Sequence, residues 1–356
     1  MTTTAHHPDQ LDNLHVRELT PLLSPYELKT QLPMPEAAAR TVAGARATIR
    51  RILRGEDQRL MVVIGPCSIH DTEAAMDYAR RLRTLAGEVD DRLFILMRAY
   101  LEKPRTTVGW RGLINDPYLD GSFDMSAGLK VARRLLIDMN ALGLPVATEM
   151  LDPISPQYLD DQISLATIGA RTTEAQTHRA LASGVSMPVG FKNGTDGGIQ
   201  VAVNGCLTAA GSHSFLGIDE QGHSAVVKTT GNPDAFVILR GGRGGPNYSA
   251  SYVAEAADLM QKANLRPAVM IDCSHANTGS DYRLQEGVWN NVLAQVVGQH
   301  EPIVGLMVES NIFEGKQQLT ADHSALRYGV SLTDGCIGWE QTERILHEAH
   351  AALARG

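Results

Sequence analysis

From residue 60 onward, short runs of β-branched and other apolar residues alternate with longer stretches whose apolar positions recur at helical spacing. Nine runs read as strands: LMVVIGPC (60–67), LFILMRA (93–99), PVATEML (145–151), LATIGA (165–170), PVGFKN (188–193), SFLGI (214–218), FVILRG (236–241), VMIDCS (269–274) and IVGLMVES (303–310). Such alternation is expected of repeated strand–helix units around a parallel sheet. One run does not fit that rhythm. SFLGI is followed at once by the turn sequence DEQG and by HSAVVKT, a second strand-like run, so 214–230 reads as an antiparallel hairpin inserted between two units.

Removing the hairpin leaves eight parallel strands. The expected fold is therefore α/β: a TIM (β/α)8 barrel with an N-terminal arm and an inserted antiparallel β-hairpin. Residues 1–35 carry Pro8, Pro21, Pro25, Pro33 and Pro35, which leave room for only a short helix near Tyr26–Gln31 before a longer one at about 36–54. No linker or composition shift marks a second domain. The expected division is an arm (1–35) and a barrel (36–356) that carries the hairpin.

Composition narrows the function. At 356 residues, with 43% hydrophobic and 20% charged residues, the chain can build a large core. Its net charge of −8 argues against general nucleic-acid binding, which needs a cationic face. Cys67, Cys206, Cys273 and Cys336 match neither a CxxC zinc motif nor a disulfide framework. No apolar run is long enough for a membrane span. The opening MTTTAHHPDQ lacks the basic and apolar regions of a secretory signal, so a cytoplasmic setting is expected.

The chemistry collects where the apolar runs stop. In order, Cys67, Arg98, Glu149, Arg171, Lys192, Arg240, His275 and Glu309 fall at, or within a residue or two of, the carboxyl ends of the eight barrel runs. Active sites of barrel enzymes are built at that face. Arg98, Lys103, Arg105, Arg171, Lys192 and Arg240 should then converge on one mouth, where confined cations call for anions such as phosphate and carboxylate. Cys67, His275, Glu309 and Asp334 form a mixed thiolate, imidazole and carboxylate set suited to a divalent first-row metal: Mn, Fe, Co or Zn.

Each residue has a structural alternative. Cys67 could be an inert buried thiol, His275 a satisfied loop histidine, Asp334 a turn or cap residue, and the basic residues ordinary ion-pair partners. Lys192 could instead form a Schiff base, as in an aldolase. The glycine-rich RGGRGGPNY (240–248) is neither a Walker A sequence nor a dinucleotide fingerprint, and reads as a loop that lets backbone approach a ligand. Cys206 and Cys273 suggest no role.

The runs GPCSIHD (65–71), RAYLEKPRTTVGWRGLINDP (98–117), DGSFDM (120–125), IGARTTEAQTHR (168–179), PVGFKNGTDG (188–197), ILRGG (238–242), DCSHAN (272–277) and VESNIFEG (308–315) resemble the microbial type I 3-deoxy-D-arabino-heptulosonate 7-phosphate (DAHP) synthases, from about residue 12 to 345. The resemblance implies condensation of phosphoenolpyruvate with erythrose 4-phosphate and water, the first step of the shikimate pathway to aromatic amino acids. It implies a divalent metal on Cys67, His275, Glu309 and Asp334. Phosphoenolpyruvate would lie on Arg98, Lys103, Arg171, Lys192 and Arg240, and the aldose phosphate on Arg105 and Thr106. Lys103, Glu149 and His275 would be the catalytic groups.

The resemblance further implies feedback inhibition by an aromatic amino acid, with Asp12, Gln157, Ser186, Phe215, Gly217 and Val227 as effector positions. Gly217 stands where phenylalanine-sensitive relatives carry Ser, which favours tyrosine. A homodimer or homotetramer and a possible Cys67–Cys336 disulfide that removes a metal ligand belong to the same set of expectations. The competing readings are a related synthase using arabinose 5-phosphate, the Lys192 Schiff-base aldolase, and a metabolite sensor that kept the barrel without turnover.

Overall fold

The computed structural model describes residues 11–105, 109–298, 302–320 and 322–355. The ten strands, in chain order, are β1 (Leu60–Gly65), β2 (Leu93–Arg98), β3 (Val146–Glu149), β4 (Leu165–Ile168), β5 (Val189–Lys192), β6 (Ser214–Ile218), β7 (Ser224–Lys228), β8 (Ala235–Leu239), β9 (Val269–Asp272) and β10 (Ile303–Glu309). Eight of them close into a parallel barrel in the order β1-β10-β9-β8-β5-β4-β3-β2, and β6 and β7 form a separate antiparallel pair. The barrel and the hairpin are those that the apolar rhythm and the DEQG turn predict.

Ahead of the barrel lie α1 (Pro25–Gln31) and α2 (Glu36–Leu53). α1 starts where a capping box forms: the Ser24 side chain accepts from the Glu27 amide, and Glu27 returns a contact to the Ser24 amide. Pro25, at the first helical turn, costs nothing there because its missing N–H has no helical partner. α2 turns Val42, Ala45, Ile49, Ile52 and Leu53 to one side. Ile49, Ile52 and Leu53 pack against Met61, Val63, Leu96, Phe236 and Met270, so α2 plugs the amino-terminal end of the barrel.

Strand alternation separates two cores. In β1, Leu60, Val62 and Ile64 join the layer beneath the outer helices, while Met61 and Val63 fill the barrel interior. The interior is filled by large residues set against absent side chains. A Cβ on Gly190 of β5 would lie 2.5 Å from Ile238 Cδ1 and 2.8 Å from Phe236 Cζ, both on β8. The outer helices are α3 (Thr72–Glu88), α4 (Met125–Ala141), α5 (Ser155–Leu159), α6 (Gln176–Ala182), α7 (Gln200–Ala210), α8 (Ala250–Lys262), α9 (Gln285–Val297) and α10 (Trp339–Leu353). Asp71 and Asp124 cap α3 and α4 by accepting from amides of their first turns.

The registers bring the strand ends to one rim, with Gly65 opposite Glu309, Arg98 opposite Ala147 and Lys192 opposite Ile238. The hairpin stands outside the barrel between α7 and β8, and its turn accepts a hydrogen bond at Glu220 O from the Tyr26 amide of α1. Among the described residues, no helix is long and apolar enough to cross a membrane.

Candidate active site

The carboxyl rim holds a layered set of charges. At its base Arg98, fully buried at the end of β2, donates to the Pro66 and Cys67 carbonyls and pairs with Glu309 at 3.0 Å. Its guanidinium lies 3.6 Å from the centre of the Tyr100 ring. Burial works against the charge of Arg98, but Glu309 and its other neighbours outweigh burial and hold it upward of the ordinary value. Glu309 is lowered in turn: burial opposes its charge, and His275, Arg98 and Lys103 outweigh burial.

Three donors converge above that pair. One ligand atom each from Cys67, Glu309 and Asp334 can be chosen so that all lie within 4.8 Å of one another, a group able to hold a metal ion. Lys103 donates to the Cys67 sulfur at 2.8 Å and pairs with Asp334 at 3.2 Å. The Cys67 thiol is pushed up to about 12 by burial and by the Glu309 charge, so an ion binding there must displace its proton. A thiol with two carboxylates fits a divalent ion of intermediate softness.

His275, the fourth expected ligand, is not part of that close group. Its Nε2 lies 3.8 Å from Glu309, and its Nδ1 faces Asp272 at 3.0 Å and the Ser274 hydroxyl at 2.6 Å. It also adopts φ +56°, a left-handed conformation rare outside glycine, at the start of a short turn over His275–Thr278.

The expected substrate cations divide by position. Arg98, Lys103, Arg171, Lys192 and Arg240 line one cavity with Tyr100, Glu149, Gly169 and His275. Burial and the facing Arg171 guanidinium lower Arg240, while Asp272 opposes that shift. Like charges held against each other in a half-buried cavity make an anion site. Arg105 lies exposed in the loop after β2, outside this lining, and Thr106 falls outside the described residues. Glu149 is 9% exposed, and among the described residues its carboxylate accepts no hydrogen bond.

Lys192 does not fit the Schiff-base alternative. Its ammonium pairs with buried Asp272 at 2.6 Å, and although burial works against the charge, that carboxylate raises its proton affinity above the ordinary value. A Schiff-base lysine needs the opposite shift. Cys336 is a buried free thiol, as are the other three cysteines.

Asp272 is a residue that sequence reading missed. It is fully buried and serves Lys192, His275 and Ser274 together, and those partners hold its carboxyl well below the usual range against the penalty of burial. Three buried asparagines form a second missed group. Asn193 accepts from the Arg240 amide at 2.7 Å, Asn247 donates to Asn193, and Asn277 accepts from the Asn247 amide at 2.8 Å. They tie together the loops that carry Lys192, Arg240 and His275. The available signal was position: Asn193 ends an apolar run, Asn277 follows another by three residues, and Asn247 lies in the glycine-rich loop after a third.

Residues 34–347 match the DAHP synthetase I family. The chain belongs to that family. It is 53% identical to the Tyr-sensitive phospho-2-dehydro-3-deoxyheptonate aldolase of Escherichia coli over 97% of each chain. It is also 53% identical to the Phe-sensitive enzyme of the same organism, over 97% of this chain and 99% of that one. A solved phospho-2-dehydro-3-deoxyheptonate aldolase from Francisella tularensis superimposes with a TM-score of 0.93 at 42% identity, covering 95% of this chain and 98% of the other. As a DAHP synthase the chain is a transferase, which removes the arabinose 5-phosphate synthase and the non-catalytic sensor as readings of its function.

Proposed function

We propose that this DAHP synthase joins phosphoenolpyruvate to erythrose 4-phosphate in the cavity between Arg98 and Arg240. The observation that carries this is the facing of a five-cation cavity and a thiol–carboxylate group on one barrel rim. Phosphoenolpyruvate carries a phosphate and a carboxylate, which the guanidinium forks of Arg171 and Arg240 and the ammonium groups of Lys103 and Lys192 can hold with its C3 toward the thiol–carboxylate group. Arg105, with Thr106, is left for the aldose phosphate. Its exposed position suits a second, outer anion.

Cys67, Glu309 and Asp334, with His275 beside Glu309, would hold one divalent ion: Mn, Fe, Co or Zn. When bound, such an ion supplies Lewis acidity to the aldehyde oxygen. The protein's own part is positional and protonic. C3 of phosphoenolpyruvate bonds to the aldehyde carbon, water adds at C2, and the C2–O bond breaks to release inorganic phosphate. Glu149, which lines the cavity and whose carboxylate accepts no hydrogen bond among the described residues, suits proton transfer to or from that water. Lys103 and His275 lie close enough to the ligand group to protonate the new alkoxide.

Regulation by an aromatic amino acid, tyrosine for preference, is supported by the hairpin. Phe215 pairs with Val227, and a Cβ on Gly217 would approach Val227 Cγ2 to 2.8 Å, so these three share one face of the hairpin and Val227 lies close over the bare Gly217 backbone. Ser186 follows α6, two residues after Gly184, where an added Cβ would meet Thr229 just past β7; Gln157 sits in α5 and Asp12 in the exposed arm. A homodimer or homotetramer fits the apolar side chains that the arm and hairpin leave uncovered. Four unpaired thiols suit the cytoplasm.

The deciding experiment follows phosphate release from both substrates together and from each alone. Release should require both, stop on chelation and return with a divalent metal. Cys67→Ser should weaken metal binding with little change in fold. Phosphate release that survives exhaustive chelation would exclude the metal reading.

A further inference from the structure

Gly169 sits just past the end of β4, two residues before Arg171, and its glycine identity has an unusual cause. Its φ is not among the positive values that call for glycine, so the backbone there admits any residue. What it lacks room for is a neighbour's functional group. An added Cβ would lie 2.1 Å from Glu149 Oε1 and 3.1 Å from Glu149 Cδ, whereas the next neighbour, Thr172 Oγ1, stands at an ordinary 3.7 Å. The register explains the approach. Glu149 of β3 is paired with Thr167 of β4, so residue 169 is its diagonal neighbour on the same face of the sheet.

Two other glycines near the barrel rim and its outer helices show the contrast. A Cβ on Gly242 would strike the backbone of Gly197 and Asp196, and one on Gly128 the backbone of Ile114, so those positions are fixed by chain packing. At Gly169 the obstacle is the tip of a flexible side chain. A methyl group there can be accommodated by rotating Glu149 away, leaving the strands in place.

We propose that Gly169 is a positioning residue for Glu149: its missing side chain lets the carboxylate lie against the end of β4, facing the cation-lined cavity. This rests on the reading of Glu149 as the proton-transfer group. That carboxylate is 9% exposed and, among the described residues, accepts no hydrogen bond, so the contour of the wall behind it acts with the cavity's cations to set where it points. Displacing such a group by about an ångström is enough to lose most of its rate contribution.

The test is a double-mutant cycle on the metal-loaded enzyme with Gly169→Ala, Glu149→Ala and both together, since groups that act as one unit are not additive. Glu149→Ala should lower kcat by about 10²-fold or more. Gly169→Ala should lower kcat by a similar factor, while KM for phosphoenolpyruvate and affinity for Mn²⁺ stay at the wild-type values. In the Glu149→Ala background, Gly169→Ala should then cost nothing further, and any loss of thermal stability that it causes alone should be recovered. If Glu149→Ala leaves kcat intact, the role given to Glu149 is wrong. If Glu149→Ala is impaired but the second substitution multiplies the loss, or leaves the double variant as unstable as Gly169→Ala, Gly169 does not act through Glu149.

Discussion

Asp272 shows how much of this site depends on one buried charge. It lies at 2.6 Å from the Lys192 ammonium and 3.0 Å from His275 Nδ1, with no exposure to water. Changing it to Asn keeps the shape and removes the charge, leaving the buried Lys192 ammonium uncompensated. Breaking one partner of a buried pair costs about 3–5 kcal/mol. Asp272→Asn should therefore lower the melting temperature clearly, and phosphoenolpyruvate or inorganic phosphate should restore part of the loss by supplying the missing negative charge. A variant that melts with the wild type would show that the pair contributes nothing. Asp272 was not legible in the sequence, although Lys192 and His275 were. A charge that ends an apolar run announces itself, as Lys192 does in PVGFKN. Asp272 sits inside VMIDCS, and its importance comes from a lysine 80 residues earlier on a strand two places around the barrel. The same holds for Asn193, Asn247 and Asn277, whose meaning lies in the loops they join, and for Gly169, whose meaning lies in Glu149.

At the scale of elements, the loop after β2 is joined to the start of α5 by a carboxyl group that titrates near neutrality. Glu102, next to Lys103, is buried and accepts from the Ser155 hydroxyl at 2.9 Å and from the Asp152 amide at 3.5 Å. Burial, with the nearby Asp152 and Glu149 charges, pushes it up to about 7, although its two hydrogen bonds pull the other way. A carboxyl whose folded value lies above its unfolded one favours folding with the proton bound. Its stabilising contribution is complete below about pH 4.5, and is lost as the pH rises toward and through 7. Glu102→Gln, which stays neutral, should match the wild type near pH 5 and exceed it in thermal stability at pH 8, by on the order of 2–3 kcal/mol. Melting curves that run parallel from pH 5 to 8.5 would remove Glu102 as the titrating link. The elements themselves were far more readable than this contact. Eight apolar runs marked the barrel strands and DEQG marked the hairpin turn, because both signals are local. α5, five residues long, has too little periodicity to announce itself.

For the molecule as a whole, the hairpin and the arm pose a burial problem that one chain does not solve. An isolated pair of strands is marginal in water and needs a surface to pack on. One face of this hairpin, with Phe215, leans on the body of the protein. The other carries Leu216 and its cross-strand partner Val226 outward, Leu216 at 86% exposure. The arm likewise leaves Leu11, Leu14, Val16, Leu19 and Leu22 exposed, with Leu11 at 94%. Single exposed apolar residues need no explanation, but two apolar strips on elements tied by the Tyr26–Glu220 hydrogen bond do. A second copy of the chain, presenting the same strips about a two-fold axis, would cover both sets at once. The active-site cavity lies on the barrel rim and is lined by neither strip, so assembly and turnover should separate. Leu216→Asp combined with Val226→Asp should shift the sedimentation coefficient toward that of the 38.5 kDa monomer while phosphate release continues, and should abolish inhibition by an aromatic amino acid that binds across the hairpin. Retention of both the wild-type sedimentation coefficient and the inhibition would place the subunit contact and the effector elsewhere. A wild-type chain that already sediments as a monomer at micromolar concentration would show that the exposed strips are tolerated in water.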